Sequence, residues 1–197
     1  MSRKEHKDLV KRCLNGNPQA QEELYDLFSK DMFRICLIYS SDYDSANDLL
    51  QEAFLKVFQK LHLYKTTGSL GGWIRTVVTN SCIDSYRANK WDKKKKLLDE
   101  NYQMDNLLIS FNEVETRFQD ADFLDIIKDL PDGYRMILNL YFLEGYKHLE
   151  IAEKLDISIG TSKSQLFKAK KYLEKILRAK LTEEEINEYE RVAKKVV

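Results

Sequence analysis

Residues 146–173 read YKHLEIAEKLDISIGTSKSQLFKAKKYL, and the spacing of their apolar side chains decides what kind of fold the chain can adopt. Leu149, Ala152 and Leu155 recur at three-residue steps, which sets them on the inward side of a short helix. Asp156-Ile157-Ser158 interrupts that series as a turn, and Ser158 is a residue type whose hydroxyl caps a new helix. In the helix that follows, Ile159, Ser162, Leu166, Ala169 and Leu173 share one face, so Thr161, Lys163, Ser164, Gln165, Lys168, Lys170 and Lys171 point elsewhere. Two short helices, a tight turn and the small Ala152 at their crossing are the layout of a helix-turn-helix. Its polar, basic outer face suits a DNA major groove, where lysines hold phosphates and Gln165 can pair with an adenine edge. A basic amphipathic helix packed in an ordinary bundle has the same periodicity.

Upstream of this motif, Leu130-Pro131-Asp132 ends one segment and opens a helix carrying Ile137, Leu138, Tyr141 and Phe142, which stops at Gly145. Before it, Phe123, Ile126, Ile127 and Leu130 are spaced as a helix face. Further upstream the pattern weakens. Lys93 to Lys96 run together, and residues 91–115 mix charge with scattered apolar residues, which predicts a flexible linker unable to repay the entropy of ordering. Downstream, Thr182 and Glu185 have capping-box spacing, which predicts a helical extension over 179–197.

The N-terminal half repeats the helical signal. Asn17-Pro18 opens a helix whose buried stripe is Leu24, Leu27, Phe28, Ile35, Cys36 and Tyr39. A second series follows Ser40-Ser41-Asp42: Ala46, Leu49, Leu50, Ala53, Phe54, Val57, Phe58 and Leu61. After the turn-like 65–69, Leu70, Trp73, Ile74, Val77 and Val78 form a third stripe, and a short fourth helix is predicted from near Asn80 past Arg87. The expected fold is all-α: a helical domain over 8–90, a linker over 91–115, a helix-turn-helix domain over 116–178 and the extension. Seven Gly and two Pro in 197 residues leave little material for the turns of an all-β fold.

The formal net charge is zero, from 32 basic and 32 acidic residues, but the charge is uneven along the chain. Basic residues outnumber acidic ones 13 to 11 in 1–90 and 10 to 6 in 131–181, while acids lead 10 to 6 in 91–130 and 5 to 3 in 182–197. Two mildly basic blocks flanking an acidic one fit two binding modules on a linker. No apolar run reaches the length of a membrane span or forms a signal-peptide core, so a cytoplasmic protein without membrane insertion is expected. Cys13, Cys36 and Cys82 are odd in number and widely spaced, which predicts reduced, packed thiols.

Three segments together resemble a known family, the extracytoplasmic-function group of sigma-70-type bacterial sigma factors. Residues 129–173, DLPDGYRMILNLYFLEGYKHLEIAEKLDISIGTSKSQLFKAKKYL, resemble the family's fourth conserved region, whose helix-turn-helix reads the minus 35 promoter element. DLLQEAFLKVFQKL, residues 48–61, is similar to its polymerase-binding helix, and WIRTVVTNSCIDSYR, residues 73–87, to its minus 10 region. The resemblance implies a non-enzymatic subunit, needing no cofactor or metal, that brings core RNA polymerase to promoter DNA and helps melt it, with an anti-sigma factor as a further partner. It assigns core binding to Asp48, Gln51, Glu52 and Lys56, and minus 10 contacts to Arg75, Asn80 and Arg87, with Asn80 in a base-receiving loop. It assigns minus 35 contacts to Thr161, Lys163, Ser164, Gln165, Lys168 and Lys171. Asp84 would orient Arg87 as an i, i+3 pair. Trp73 reads more readily as core than as a stacking platform, because it shares a stripe with Ile74 and Val77. Four departures stand out: Gly71-Gly72 where the family carries bulkier residues, Asp156 in the usual glycine position of the turn, Ser162 where the recognition helix usually carries a branched apolar residue, and Gln165 and Lys168 where many relatives carry arginine.

Two other readings share these residues. A transcriptional regulator with the same helix-turn-helix would bind duplex DNA without polymerase. A metal-dependent helical nucleotide hydrolase would use Asp44, Asp48 and Glu52, but it needs a second acidic pair on a facing helix, and His6, His62 and His148 fall in no ligand pattern.

Overall fold

The computed structural model describes residues 3–40, 42–93 and 129–180, and every regular element among them is helical. The chain divides into two compact units, at Lys94/Lys95. Nearly all of the expected linker, the helix face from Phe123 to Ile127 and the Thr182–Glu185 capping box lie outside the described residues.

The first unit holds α1 (Arg3–Leu14), α2 (Pro18–Tyr39), α3 (Tyr43–Lys60), a single 3-10 turn (Leu61–Leu63) and α4 (Leu70–Lys93). Helix α1 has no counterpart in the sequence reading, because its buried residues, Leu9, Val10 and Cys13, are too few to stand out among the charges of RKEHKDLVKRCL. Gly16 ends it with φ 75°, and the Gly16 and Asn17 N–H groups reach back to the carbonyls of Cys13 and Arg12. Asn17 then turns its side chain forward to accept the Ala20 N–H at 2.9 Å, and Pro18 begins α2. Arg12 ties the two helices together through Glu23 at 2.8 Å.

The stripes of α2 and α3 pack as the periodicity requires, with one exception. Leu24, Ile35 and Cys36 are buried, Phe28 and Tyr39 are partly buried, but Leu27 is 40% exposed. Met32 and Ile38, not included in the stripe, are buried instead, since a 22-residue helix turns its apolar line slowly around its axis. On α3 the whole series from Ala46 to Leu61 meets the core, with Phe58 partly exposed. Asp42 caps this helix, accepting from the Ser45 N–H and hydroxyl. The three cysteines are buried and none is in a disulfide.

Residues 70–93 form one continuous helix, so the separate fourth helix expected near Asn80 does not exist. Asn80 therefore sits within α4 and not in a loop. The helical period is obscured there because burial widens along the helix. Leu70, Ile74 and Val78 hold one line, and Thr79, Ser81, Cys82 and Ile83 are all buried beyond it. The two glycines at the start are explained separately. Ser69 caps α4 through the Gly72 N–H at 3.3 Å, and a Cβ on Gly71 would lie 3.1 Å from the Phe28 ring of α2. Gly71 allows close approach of the two helices, whereas a Cβ on Gly72 would meet only Ser69 at ordinary contact distance.

The second unit holds α5 (Asp132–Phe142), α6 (His148–Leu155) and α7 (Ile159–Lys180). Its core is Met136, Ile137, Leu138, Leu140, Ile151, Ala152, Leu155, Leu166, Ala169 and Leu173. Tyr141 and Phe142 are half-buried. Arg135 is also buried, held by Asp132 at 2.7 Å, and its burial pulls its guanidinium below the ordinary value.

The glycine pair gives a stability test. Gly72→Ala should raise unfolding free energy by about 0.5–1 kcal/mol through helix propensity and the restricted unfolded chain. Gly71→Ala should gain less or lose stability, because Phe28 must shift. Denaturant unfolding of the two variants would check the order.

Candidate nucleic-acid interface

In the second unit the helix-turn-helix forms, with two inward positions reassigned. Ile151, Ala152 and Leu155 are the buried residues of α6, while Leu149 is 55% exposed. Three-residue steps alone cannot separate Leu149 from Ile151, which lie on opposite edges of the Ala152–Leu155 line. On α7, Ser162, Leu166, Ala169 and Leu173 are buried, but Ile159 in the first turn is 42% exposed.

Asp156 adopts the left-handed conformation, φ 52° and ψ 55°, among the described residues the only non-glycine with positive φ. Its N–H and that of Ile157 both reach the Ala152 carbonyl, which closes α6. The family's glycine position is thus kept in geometry though not in residue type. Glu150 supports the other end of α6 by accepting the Lys147 N–H at 2.8 Å. Ser158 caps α7 as its sequence position required, accepting the Thr161 N–H at 2.9 Å.

Ser162 has no exposed surface, and its hydroxyl lies 3.0 Å from Nδ1 of His148, at the start of α6. The His148 ring stacks on Tyr141 of α5 at 4.9 Å between centroids. The polar residue in an apolar position is thus satisfied by a histidine from the facing helix. Burial and the charges of Lys163 and Lys170 hold the His148 imidazole below its ordinary value.

The predicted outer residues of α7 fall in three places. Ser164, Lys168 and Lys171 lie opposite the buried stripe, with Lys171 over the Phe167 ring at 4.9 Å. Thr161 and Gln165 form one flank, both half-buried, and Thr161 shares its hydroxyl with Ser158 at 2.9 Å. Lys163 and Lys170 form the other flank. Lys163 is exposed, whereas Lys170 is half-buried over the Phe142 ring and its ammonium is pushed down by burial. On α6, Lys154 lies over the Tyr146 ring at 4.6 Å.

In the first unit, Arg75, Asn80 and Arg87 are all half-buried on α4. Asn80 and Arg87, seven residues apart, share a face, but Arg75 is turned from Asn80 by about 140° at 100° per residue. The structure brings two of the three together. No ion pair joins Asp84 to Arg87 among the described side chains. Trp73 is partly buried against the core and touches Tyr64 at 5.7 Å, whose hydroxyl donates to the Gly68 carbonyl at 2.7 Å.

On α3 the faces of Asp48, Gln51 and Glu52 are exposed, and Lys56 pairs with Glu52 at 2.8 Å. Leu55 lies at the centre of this polar face and is 62% exposed. Leu55 is not among the core-binding residues that the resemblance assigns. The signal was present, since Leu55 falls outside the three- and four-residue series that Ala46 to Leu61 maintain.

Two family models match: sigma-70 region 2 over residues 24–92 and sigma-70 region 4 over residues 120–173, one in each unit. The chain belongs to the sigma-70 family, in its extracytoplasmic-function group. Among relatives of this group, the chain is 29% identical over 158 residues to the ECF RNA polymerase sigma factor SigM of Bacillus subtilis, covering 77% of this chain and 91% of that one. It is 24% identical over 181 residues to ECF sigma factor SigW of the same organism, covering 87% and 96%. Among solved structures it is similar to the sigma factor RpoE from Bartonella quintana, crystallised with the anti-sigma factor NepR, at 19% identity, with 80% and 96% covered and a TM-score of 0.47. The region 2 match spans α3 and most of α2 and α4, and the region 4 match spans α5, α6 and most of α7.

Two outcomes follow from the turn and its histidine. Asp156→Gly should stabilise the second unit by about 1 kcal/mol, because glycine removes the left-handed penalty, and thermal unfolding would show the gain. For His148, a folded-state value below the ordinary 6.5 means its contribution is complete above pH 6.5 and is lost as pH falls from there through the folded value. Stability of wild type should fall over that window more steeply than stability of His148→Asn, as read by unfolding at a series of pH values.

Proposed function

We propose that the chain is a sigma subunit that confers promoter choice on core RNA polymerase, with its two units dividing the work. It has no catalytic residues of its own, since the chemistry is the polymerase's. In this reading residues 8–90 bind core polymerase and the melted minus 10 strand, 91–115 connect, 116–178 hold the minus 35 duplex and 179–197 are an appended helix. The observation that supports it most directly is the outer face of α7: Ser164 is exposed and Lys168 and Lys171 are half-buried on the side opposite the buried Ser162, Leu166, Ala169 and Leu173, with Gln165 and Lys163 on the flanks. Lysines at that spacing neutralise phosphates along a groove, and Gln165 can read a base edge.

Thr161 is assigned a backbone-positioning part, because its hydroxyl is already engaged with Ser158. Asn80 and Arg87 form one minus 10 contact surface on α4, and Arg75 contacts a separate stretch of strand or polymerase. On α3, Asp48, Gln51, Glu52 and Lys56 surround Leu55, an apolar centre with a polar rim, which is the anatomy of a protein-binding hot spot. Core polymerase is the partner this face is assigned to. An anti-sigma factor that covers these same surfaces is the further partner carried by the family reading. The site of action is the cytoplasm; no described helix is long and apolar enough to cross a membrane.

In vitro transcription from a promoter library with core polymerase tests the reading. Discrete start sites that need both components are the expected result, and duplex binding without initiation would favour a regulator instead. Lys168→Ala and Lys171→Ala should each lower the slope of log affinity against log salt by about 1 without changing which promoters are chosen. Leu55→Glu should weaken core binding by about tenfold or more, measured by fluorescence titration, while leaving the fold intact because Leu55 is exposed.

A further inference from the structure

His148, in the first turn of α6, contacts both other helices of the second unit. Its ring stacks on Tyr141 of α5, and Nδ1 meets the buried Ser162 hydroxyl at 3.0 Å. The charged groups acting on it come from α7: Lys163, adjacent to Ser162, and Lys170, which lies over Phe142 beside Tyr141. Tyr141 faces it from α5. On its own helix the first-turn carboxylate, Glu150, is engaged with the Lys147 N–H. The imidazole therefore sits in a field set chiefly by two lysines, on the helix assigned to the DNA backbone.

We propose that His148 is a proton-linked part of the duplex-binding surface: phosphates settling on the Lys163–Lys170 flank draw a proton onto its imidazole, so duplex DNA binds more tightly as pH falls. This rests on the reading of α7 as the DNA-contacting helix and adds to it a role for a residue on the preceding helix.

The physical chain is short. In the free protein both lysines repel an imidazolium, and partial burial disfavours it further. Phosphate oxygens near those lysines cancel their field and add an attractive one, while the Tyr141 stack and the Ser162 hydroxyl stay in place. The hydroxyl adapts to either state. Facing neutral Nδ1 it can donate; facing the imidazolium it accepts from Nδ1–H and can turn its own hydrogen to the carbonyl one turn back. Proton uptake thus needs no rearrangement of the helix pair. The state with more protons bound is the DNA-bound one, so affinity is level above the bound-state value, rises as pH falls between the bound and free values, and levels again below both.

The test uses the full chain and a mixed-sequence duplex a few turns long at low salt. The chain has three histidines, so the His148 resonances can be assigned in an NMR pH titration by comparison with His148→Asn. Asparagine keeps a polar atom near the Nδ1 position but does not titrate. The expected result is that saturating duplex moves the His148 titration to higher pH, and that wild-type affinity increases about threefold or more on acidification through the ordinary histidine range while His148→Asn stays nearly flat. Salt-dependent duplex binding with an unmoved His148 titration, or with equal pH slopes for both proteins, would overturn this inference alone. Absence of duplex binding at low salt would also overturn it, since no phosphate then reaches the Lys163–Lys170 flank, while the sigma reading stands or falls on the transcription assay with core polymerase.

Discussion

Reversing the chain between short helices while still satisfying the N–H and C=O groups freed at each end is the constraint on which both units rest. Each α-helix leaves unpaired donors at its start and acceptors at its end, and burying them unpaired costs about 1–3 kcal/mol apiece. Here reversals are made by a few polar or left-handed residues: Gly16 with Asn17, Ser40 with Asp42, and Asp156 with Ser158. Because the connections are this short, the apolar stripes have little freedom over how they meet. The core of the first unit follows from α2, α3 and α4 being delivered to one another by these caps.

In the second unit the same constraint becomes functional. A three-residue turn with Asp156 in the left-handed region decides the crossing of α6 and α7. That crossing brings His148 over Ser162. It also decides which residues of α7 are left outside. The basic face is therefore a consequence of how the apolar side is held, and a change at the turn would be felt at Lys168 and Lys171 without touching either.

Polar groups in buried positions are handled in several ways, and both units use more than one of them. Ser162 has a partner from a facing helix, and Arg135 a carboxylate three residues away. Asn139 is fully buried, with neither amide atom hydrogen-bonded. In the first unit, Ser81 returns its hydroxyl to the Val77 carbonyl of its own helix. Side chains that satisfy themselves locally leave helix packing unconstrained, whereas a bond between helices adds a condition on their angle. The His148–Ser162 contact is of the second kind.

The sequence alone determined the helical class, the division into two units, the complete inner face of α3, the cap at Ser158 and the polar character of the outer face of α7. All of these depend on local spacing or on a side chain bonding to backbone within four residues, and such information is contiguous in the chain. Tertiary structure decided the rest. It placed Asn80 inside a continuous α4, because burial on that helix is set by neighbours far away in sequence. It exposed Leu27, Leu149 and Ile159, which have apolar side chains but no facing partner, and buried Ile151 in place of Leu149. It gave Gly71 a reason in the Phe28 ring and Ser162 a partner in His148. A helical period tells which residues share a side, but only the packed neighbour decides which side is covered.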